Sequence, residues 1–283
     1  MTVCIAALAD DNKSLVLASD KEVTFGPPIN TEVENDTQKI QKITDKIYVL
    51  LAGNSLIAMQ LIEDLRRNKQ GATTVKEVAE ALRDAYVIAR QNTMEEVYLK
   101  PRGLTLERFI KEQKDLNQQL VLALDNSVAT DNQSFGVAFI VAGIDNADGN
   151  AYIYGIFHPG TMSLMNVTGF CTIGIGDVHA MNSFIGNRYS TKFSLREALY
   201  YVYEAKKKSE VAPGVGQMTD IITLTSEEMH ELTDTEIKEL DKIRNSITEN
   251  LTKELEKELN SYKLAGKTLA AEEKANGTKP ETK

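Results

Sequence analysis

The chain opens MTVCIAALADD, and its second residue is the first that could do chemistry. Methionine ahead of a small residue such as Thr2 is normally removed, so the mature chain is expected to begin with threonine. That residue would carry both a hydroxyl and a free α-amine. A threonine hydroxyl is a weak nucleophile until a base takes its proton. An amine on the same residue can be that base, directly or through water. Such a catalyst gains from a lysine ammonium that disfavours protonation of the amine. It also needs an acid to orient the lysine, and a backbone N–H to meet the developing oxyanion. One residue is available for each role. Asp20 ends the run LVLASD, Lys39 sits in TQKIQKI, and Gly53 follows IYVLLA where a helical pattern begins. Amides at a helix start are free to bind anions. Each residue also has a plain reading. Met-Thr starts are common, aspartate at a strand end is ordinary turn chemistry, and Gly53 fits a tight turn. Asp20 and Lys39 fit a buried structural ion pair equally well.

The elements that must position these residues follow from periodicity. Residues 2–9 and 14–19 are expected strands around the polar turn DDNK, an N-terminal hairpin. Residues 25–37, with Pro27 and Pro28, are expected as a loop. Strands are expected near 40–43 and over 47–52. Ile57, Leu61 and Leu65 recur every fourth residue and predict a helix over 54–69. A second helix is expected over 75–97, with Val75, Val78, Ala79, Leu82, Ala85, Tyr86 and Ala89 on its apolar stripe. Another is expected over 105–124, burying Phe109, Ile110, Leu116, Leu120 and Leu124. Strands return at 135–145, 151–160, 161–167 and 170–176. Helices follow over 178–187 and, from the capping box SLRE, 194–208. The last clear strand is 218–225. Strands, helices, strands, helices, strand is not the alternation of a doubly wound sheet. It predicts an α+β sandwich in which two sheets pack together and helices cover the outside.

The expected organisation is a main domain over 1–230, an amphipathic helix over 231–265 and a disordered tail over 266–283. The helix carries Ile237, Leu240, Ile247, Leu251, Leu255 and Tyr262 among dense Glu and Lys. It is expected to dock on the body; a coiled-coil or ring contact is the other use of such a stripe.

Composition narrows the function. The net charge of −9 and the absence of a basic patch disfavour nucleic-acid binding. Two cysteines, Cys4 and Cys171, far apart in sequence, disfavour a disulfide framework or a cysteine metal site. His158, His179 and His230 lack ligand spacing, so no metal and no cofactor are expected. No basic-then-apolar leader and no membrane-length apolar run are seen, so a cytoplasmic protein without membrane contact is expected.

Four segments in order carry a resemblance. VLASDKEVT (16–24), TQKIQKITDKIYVLLAG (37–53), TIGIGD (172–177) and TDIITLT (219–225) resemble the corresponding motifs of proteasome-type β subunits and their bacterial homologues, members of the N-terminal-nucleophile hydrolases. The lysine-to-glycine spacing agrees without a gap. The resemblance spans about residues 2–225. It implies a four-layer αββα sandwich, here with an extended C-terminal helix, and assembly into homo-oligomeric rings. It makes Thr2 the nucleophile and Asp20 and Lys39 its supports, with the Gly53 N–H as oxyanion hole. Thr24 would pair with the backbone of an extended substrate, and Leu51 would line the pocket for the side chain before the scissile bond. The implied activity is a threonine peptidase acting on peptides or unfolded proteins. An ATP-dependent unfoldase is a partner that such chambers use. Removal of Met1 alone would expose the nucleophile.

The chain departs from the pattern too. Ile175 replaces the serine of the family's G-S-G loop. The stretch SEVAPGVGQM (209–218) lacks a clear Asp and Ser ahead of the glycine turn. Thr172, Asp177 and Ser209 are the candidate substitutes for the missing groups. Residues 100–130 are longer than the family norm. Two further readings therefore stay open: an inactive ring or scaffold subunit of the same fold, and a small-molecule amidase.

Overall fold

The computed structural model describes residues 2–25, 31–34, 38–68, 73–130, 135–264 and 267–268. The chain divides into two compact units, 1–232 and 233–283. In the first, strands β1 (Val3–Ala9) and β2 (Ser14–Asp20) form the expected hairpin. Their connection turns through left-handed backbone at Asp10, Asp11 and Asn12, residue types that tolerate it. Strands β3 (Glu22–Phe25) and β4 (Thr31–Glu34) pair as a second hairpin, so the expected loop over 25–37 contains a strand. Polar strands with prolines between them hide from a hydrophobic pattern. β5 (Ile40–Lys42) and β6 (Ile47–Gly53) follow.

Helix α1 (Ser55–Asn68) is capped by Asn54, whose Oδ1 accepts from the Leu56 and Ile57 amides at 3.2 and 3.4 Å. Helix α2 (Val75–Met94) starts on a Thr74–Glu77 capping box and continues into a π-helical turn over Glu95–Leu99. The expected helix over 105–124 is two helices, α3 (Leu106–Glu112) and α4 (Gln118–Thr130). Asn117 restarts the chain by capping the Gln119 and Leu120 amides. Ile110 is 59% exposed, contrary to its expected burial, because the short α3 turns Phe109 inward instead.

Strands β7 (Val137–Ile144), β8 (Ala151–Phe157), β9 (Thr161–Leu164) and β10 (Phe170–Gly174) come next. Helices α5 (Asp177–Gly186) and α6 (Leu195–Ser209) follow, then β11 (Thr219–Leu224) and a short β12 (Met229–Glu231) that the pattern did not predict. All the pairings among the described residues are antiparallel. One sheet has the order β10-β1-β2-β11-β12 and the other β5-β6-β7-β8-β9. The fold is α+β.

Two apolar clusters explain the packing. The first joins the sheets. It combines Cys4, Ala6, Leu8, Leu15 and Leu17 from one sheet with Tyr48, Leu50, Ile140, Ala142 and Ile153 from the other. Alternate residues of β6 and β7 point the opposite way, and Val49, Leu51, Phe139 and Val141 meet α1 and α2 there. Tyr86 anchors that layer. Its ring sits edge-on to Phe135 at 4.9 Å and its hydroxyl donates to the Val137 carbonyl at 3.1 Å. Helix α6 packs on β1 and β2 of the first sheet, and α5 packs on α6 and β10. Such burial is the main stabilising term, at about 25 cal/mol per Å² of apolar surface.

The second unit contains α7 (Asp234–Ser261), started by a Thr233–Glu236 capping box, and a small pairing of Lys263–Leu264 with Lys267–Thr268. Ile247, Leu251 and Leu255 of its stripe are exposed. The remainder of the expected disordered tail lies outside the described residues. No helix among the described residues is long and apolar enough to cross a membrane.

Both cysteines are free and buried, and burial pushes each thiol up to about 12. At pH 8.5 the folded protein should therefore react with a thiol reagent about a thousandfold more slowly than the urea-unfolded chain. Comparable labelling of Cys4 or Cys171 in native and unfolded protein would show that the sheet-to-sheet core opens readily.

Candidate active site

The last residue of β2, Asp20, is fully buried, and its carboxylate organises the site. Oδ1 accepts the Thr2 hydroxyl at 2.5 Å and the Val3 amide at 2.8 Å. Oδ2 accepts the Lys39 ammonium at 2.9 Å, the Gly216 amide at 3.1 Å and the Glu22 amide at 3.2 Å. A buried carboxylate needs such partners, because losing water without replacing its hydrogen bonds is costly. Lys39 is itself 6% exposed and donates a second bond to the Glu22 carbonyl at 2.5 Å. Three of the four residues singled out in the sequence thus meet directly. Thr2 and Lys39 share one carboxylate.

Strand pairing explains how they come together. β1 starts just after Thr2, and its antiparallel pairing with β2 lays Cys4 beside Ser19. The next pair of positions along the hairpin brings the chain entering β1 to Asp20. Lys39 lies just ahead of β5, where its carbonyl accepts the Leu51 amide at 3.2 Å. Cys4 closes the bridge between the sheets by donating its thiol to the Leu51 carbonyl at 3.3 Å. With its thiol pushed so high by burial, Cys4 stays protonated at neutral pH and does not compete as a nucleophile.

Gly53 ends β6, two residues beyond Leu51. Its φ of +98° is left-handed, and a Cβ there would stand 2.0 Å from the Gly136 carbonyl oxygen. Glycine is required at this turn on steric grounds alone. The helix itself begins at Ser55, with two of its first amides already taken by Asn54. The Leu56 and Ile57 amides are therefore not free to bind an anion. Leu51 is 4% exposed and its side chain belongs to the layer against α1 and α2. Thr24 lies on β3, and its side chain falls outside the described residues.

The Gly-Ile-Gly loop wraps the Thr2 backbone. The Gly176 amide donates to the Thr2 carbonyl at 3.3 Å, and a Cβ on Gly174 would stand 2.2 Å from that same oxygen. Ile175 points outward, 48% exposed. The polar groups near this loop are engaged elsewhere. The Ser209 hydroxyl donates to the Ala205 carbonyl at 2.8 Å, and Thr172 Oγ1 donates to the Asp177 carbonyl at 3.4 Å. Among the described residues no group of three His, Cys, Asp or Glu side chains is placed to hold a metal ion.

The sequence did not reveal the amides of Val3, Glu22 and Gly216 as ligands of Asp20. Nor did it single out Lys206, whose ammonium holds the Gly216 segment. One signal was present. Ala198, Val202, Ala205 and Ser209 form the buried stripe of α6, and Lys206 stands four residues after Val202, on that stripe.

The chain matches no protein-family model and no curated protein.

Breaking the Asp20–Lys39 pair from one side leaves a buried charge unmatched. Lys39→Met should cost about 3–5 kcal/mol of unfolding free energy, and Asp20→Asn combined with Lys39→Met should cost clearly less than the two single changes added. Urea unfolding of the four proteins measures this. Strict additivity would show that the two charges do not act on each other.

Proposed function

We propose that this chain is an N-terminal threonine peptidase of proteasome type, with Thr2 as nucleophile once Met1 is removed. The observation that carries the proposal is the shared carboxylate. The Thr2 hydroxyl at 2.5 Å and the Lys39 ammonium at 2.9 Å both bond Asp20, deep in the protein. The layers of helices and sheets are read, on the same proposal, as the αββα sandwich of the N-terminal-nucleophile hydrolases.

The chemistry follows from the groups present. With residue 1 attached, the Thr2 nitrogen is an amide and cannot take a proton. After its removal the nitrogen becomes an amine, and the charge of Lys39, bound to the same carboxylate as the Thr2 hydroxyl, favours its neutral, basic form. The amine takes the Oγ1 proton, and Oγ1 attacks the substrate carbonyl carbon. The oxyanion meets the Gly53 N–H. The amine then passes its proton to the leaving nitrogen, the peptide bond breaks, and an ester remains on Oγ1. Water, deprotonated by the same amine, hydrolyses that ester. When the Thr2 hydroxyl gives up its proton it leaves Asp20, and the Lys39 ammonium with the Val3, Glu22 and Gly216 amides keeps the carboxylate in place.

The same proposal extends to the setting: peptides or unfolded proteins as substrate, cleavage after small or apolar residues with Thr24 pairing with the substrate backbone, a homo-oligomeric ring in the cytoplasm, and an ATP-dependent unfoldase as feeding partner. One observation favours a second reading, an inactive ring subunit. Where the family carries a serine, Ile175 presents an apolar side chain, and the Ser209 hydroxyl is committed to its own helix. A small-molecule amidase would use the same Thr2 chemistry.

Hydrolysis of fluorogenic peptides with small and apolar residues before the reporter separates these readings. Thr2→Ala and Lys39→Met should each lower kcat by on the order of a thousandfold or more. Turnover that survives Thr2→Ala removes the proposal. Absence of peptide turnover in the processed protein, with activity on small amides that Thr2→Ala abolishes, would assign the amidase instead.

A further inference from the structure

A second lysine lies close to the site without touching Thr2. Lys206, on α6, is fully buried. Its ammonium donates three hydrogen bonds: to the Glu210 carboxylate at 2.5 Å, the Gly216 carbonyl at 2.8 Å and the Gln217 carbonyl at 2.7 Å. A buried ammonium is costly, and three good acceptors are what make it tolerable. Two of the three belong to the loop that follows α6. That loop is also tied at its far end, where the Met218 carbonyl accepts the Lys21 amide at 3.3 Å and the Gln217 carbonyl accepts the Thr219 hydroxyl at 3.4 Å. It contains Pro213 and Gly214, and its local bonds are the turns from Ala212 to Ser209 and from Val215 to Ala212. Yet the Gly216 amide must reach Asp20 Oδ2 at 3.1 Å. Gly216 also lies against Glu22, the residue whose amide bonds Asp20 and whose carbonyl receives Lys39.

We propose that Lys206 is a positioning residue of the Thr2 site. By gripping the carbonyls of Gly216 and Gln217, it keeps the Gly216 N–H on the Asp20 carboxylate and so fixes the orientation that Asp20 imposes on Thr2 and Lys39. Its catalytic consequence rests on the peptidase reading above; the grip on the loop does not. The grip joins α6 to the end of β2 and stands at the place where the stretch 209–218 lacks the family's polar residues. The charged groups acting on Lys206 agree with this placement. Burial lowers it to about 8, Glu210 opposes that shift, and Lys207 and Asp20 act on it as well. Glu210 is shared, because its other oxygen accepts Lys207 at 2.8 Å.

The test combines two readouts on the full chain. Hydrogen–deuterium exchange of the segment 214–217 reports the grip, whether or not the protein is active. In Lys206→Met this segment should exchange about tenfold faster or more, while the strands around it keep their protection. In the same variant, kcat for a peptide substrate should fall about tenfold or more with KM little changed, since the change acts on the nucleophile's support and not on substrate contacts. Should Lys206→Met fail to fold, Glu210→Gln carries both readouts, because it loosens the ammonium without emptying its site. Unchanged exchange at 214–217 overturns the proposal. So does faster exchange with unaltered kcat. If the wild-type protein shows no turnover and no reaction at Thr2, the peptidase reading fails, and the exchange result still decides whether Lys206 holds the loop on Asp20.

Discussion

The structure of the site depends on one constraint: a carboxylate that has lost all contact with water must be satisfied by the protein. Asp20 meets it with a hydroxyl, an ammonium and three backbone amides. Those five donors come from the start of β1, the start of β3, the approach to β5 and the loop before β11. Satisfying one anion therefore ties four separate parts of the chain to a single point. The geometry around Thr2 is a consequence of that requirement. On the peptidase proposal, the nucleophile and its cation must be fixed relative to each other before substrate arrives, and a buried shared anion would do so.

The layers serve the same point. The sheets are joined by a continuous apolar core, and the site lies at the edge of that core where β1, β2 and β6 come together. Close packing leaves no room for side chains at Gly53 and Gly174, which turn the chain beside the site. Thr2 itself is only 5% exposed. Stability and chemistry draw on the same contacts here. Cys4 illustrates it: the residue is a core side chain, yet its thiol fixes the Leu51 carbonyl two residues before Gly53.

Much of this could be read in the sequence where a local rule applies. The stripe Val75, Val78, Ala79, Leu82 and Tyr86 is buried as its period predicts, and the Ser194–Glu197 box starts α6. Thr2, Asp20 and Lys39 were found by residue type, then by a resemblance of motifs. What escaped was long-range or polar. Strand β4 has no hydrophobic alternation to betray it. The break between α3 and α4 depends on a cap at Asn117, in a stretch whose apolar residues run on across it. The amide that Gly216 lends to Asp20 comes from 196 residues away, and a backbone donor leaves no mark on residue identity. Lys206, inside the run AKKKS, reads as a solvated charge until helix α6 is laid on its sheet. Such contacts follow from the tertiary fold, which periodicity does not specify.

The most direct test of the account is intact mass spectrometry of the purified protein, before and after treatment with an epoxyketone directed at N-terminal threonine. The account predicts a mass lacking Met1, then a single adduct that maps to Thr2. The adduct should disappear in Thr2→Ala. A chain that keeps Met1 in a host that processes Met-Thr starts, or a processed chain that forms no adduct, would contradict it. Thr2 would then be a structural ligand of Asp20 and no more.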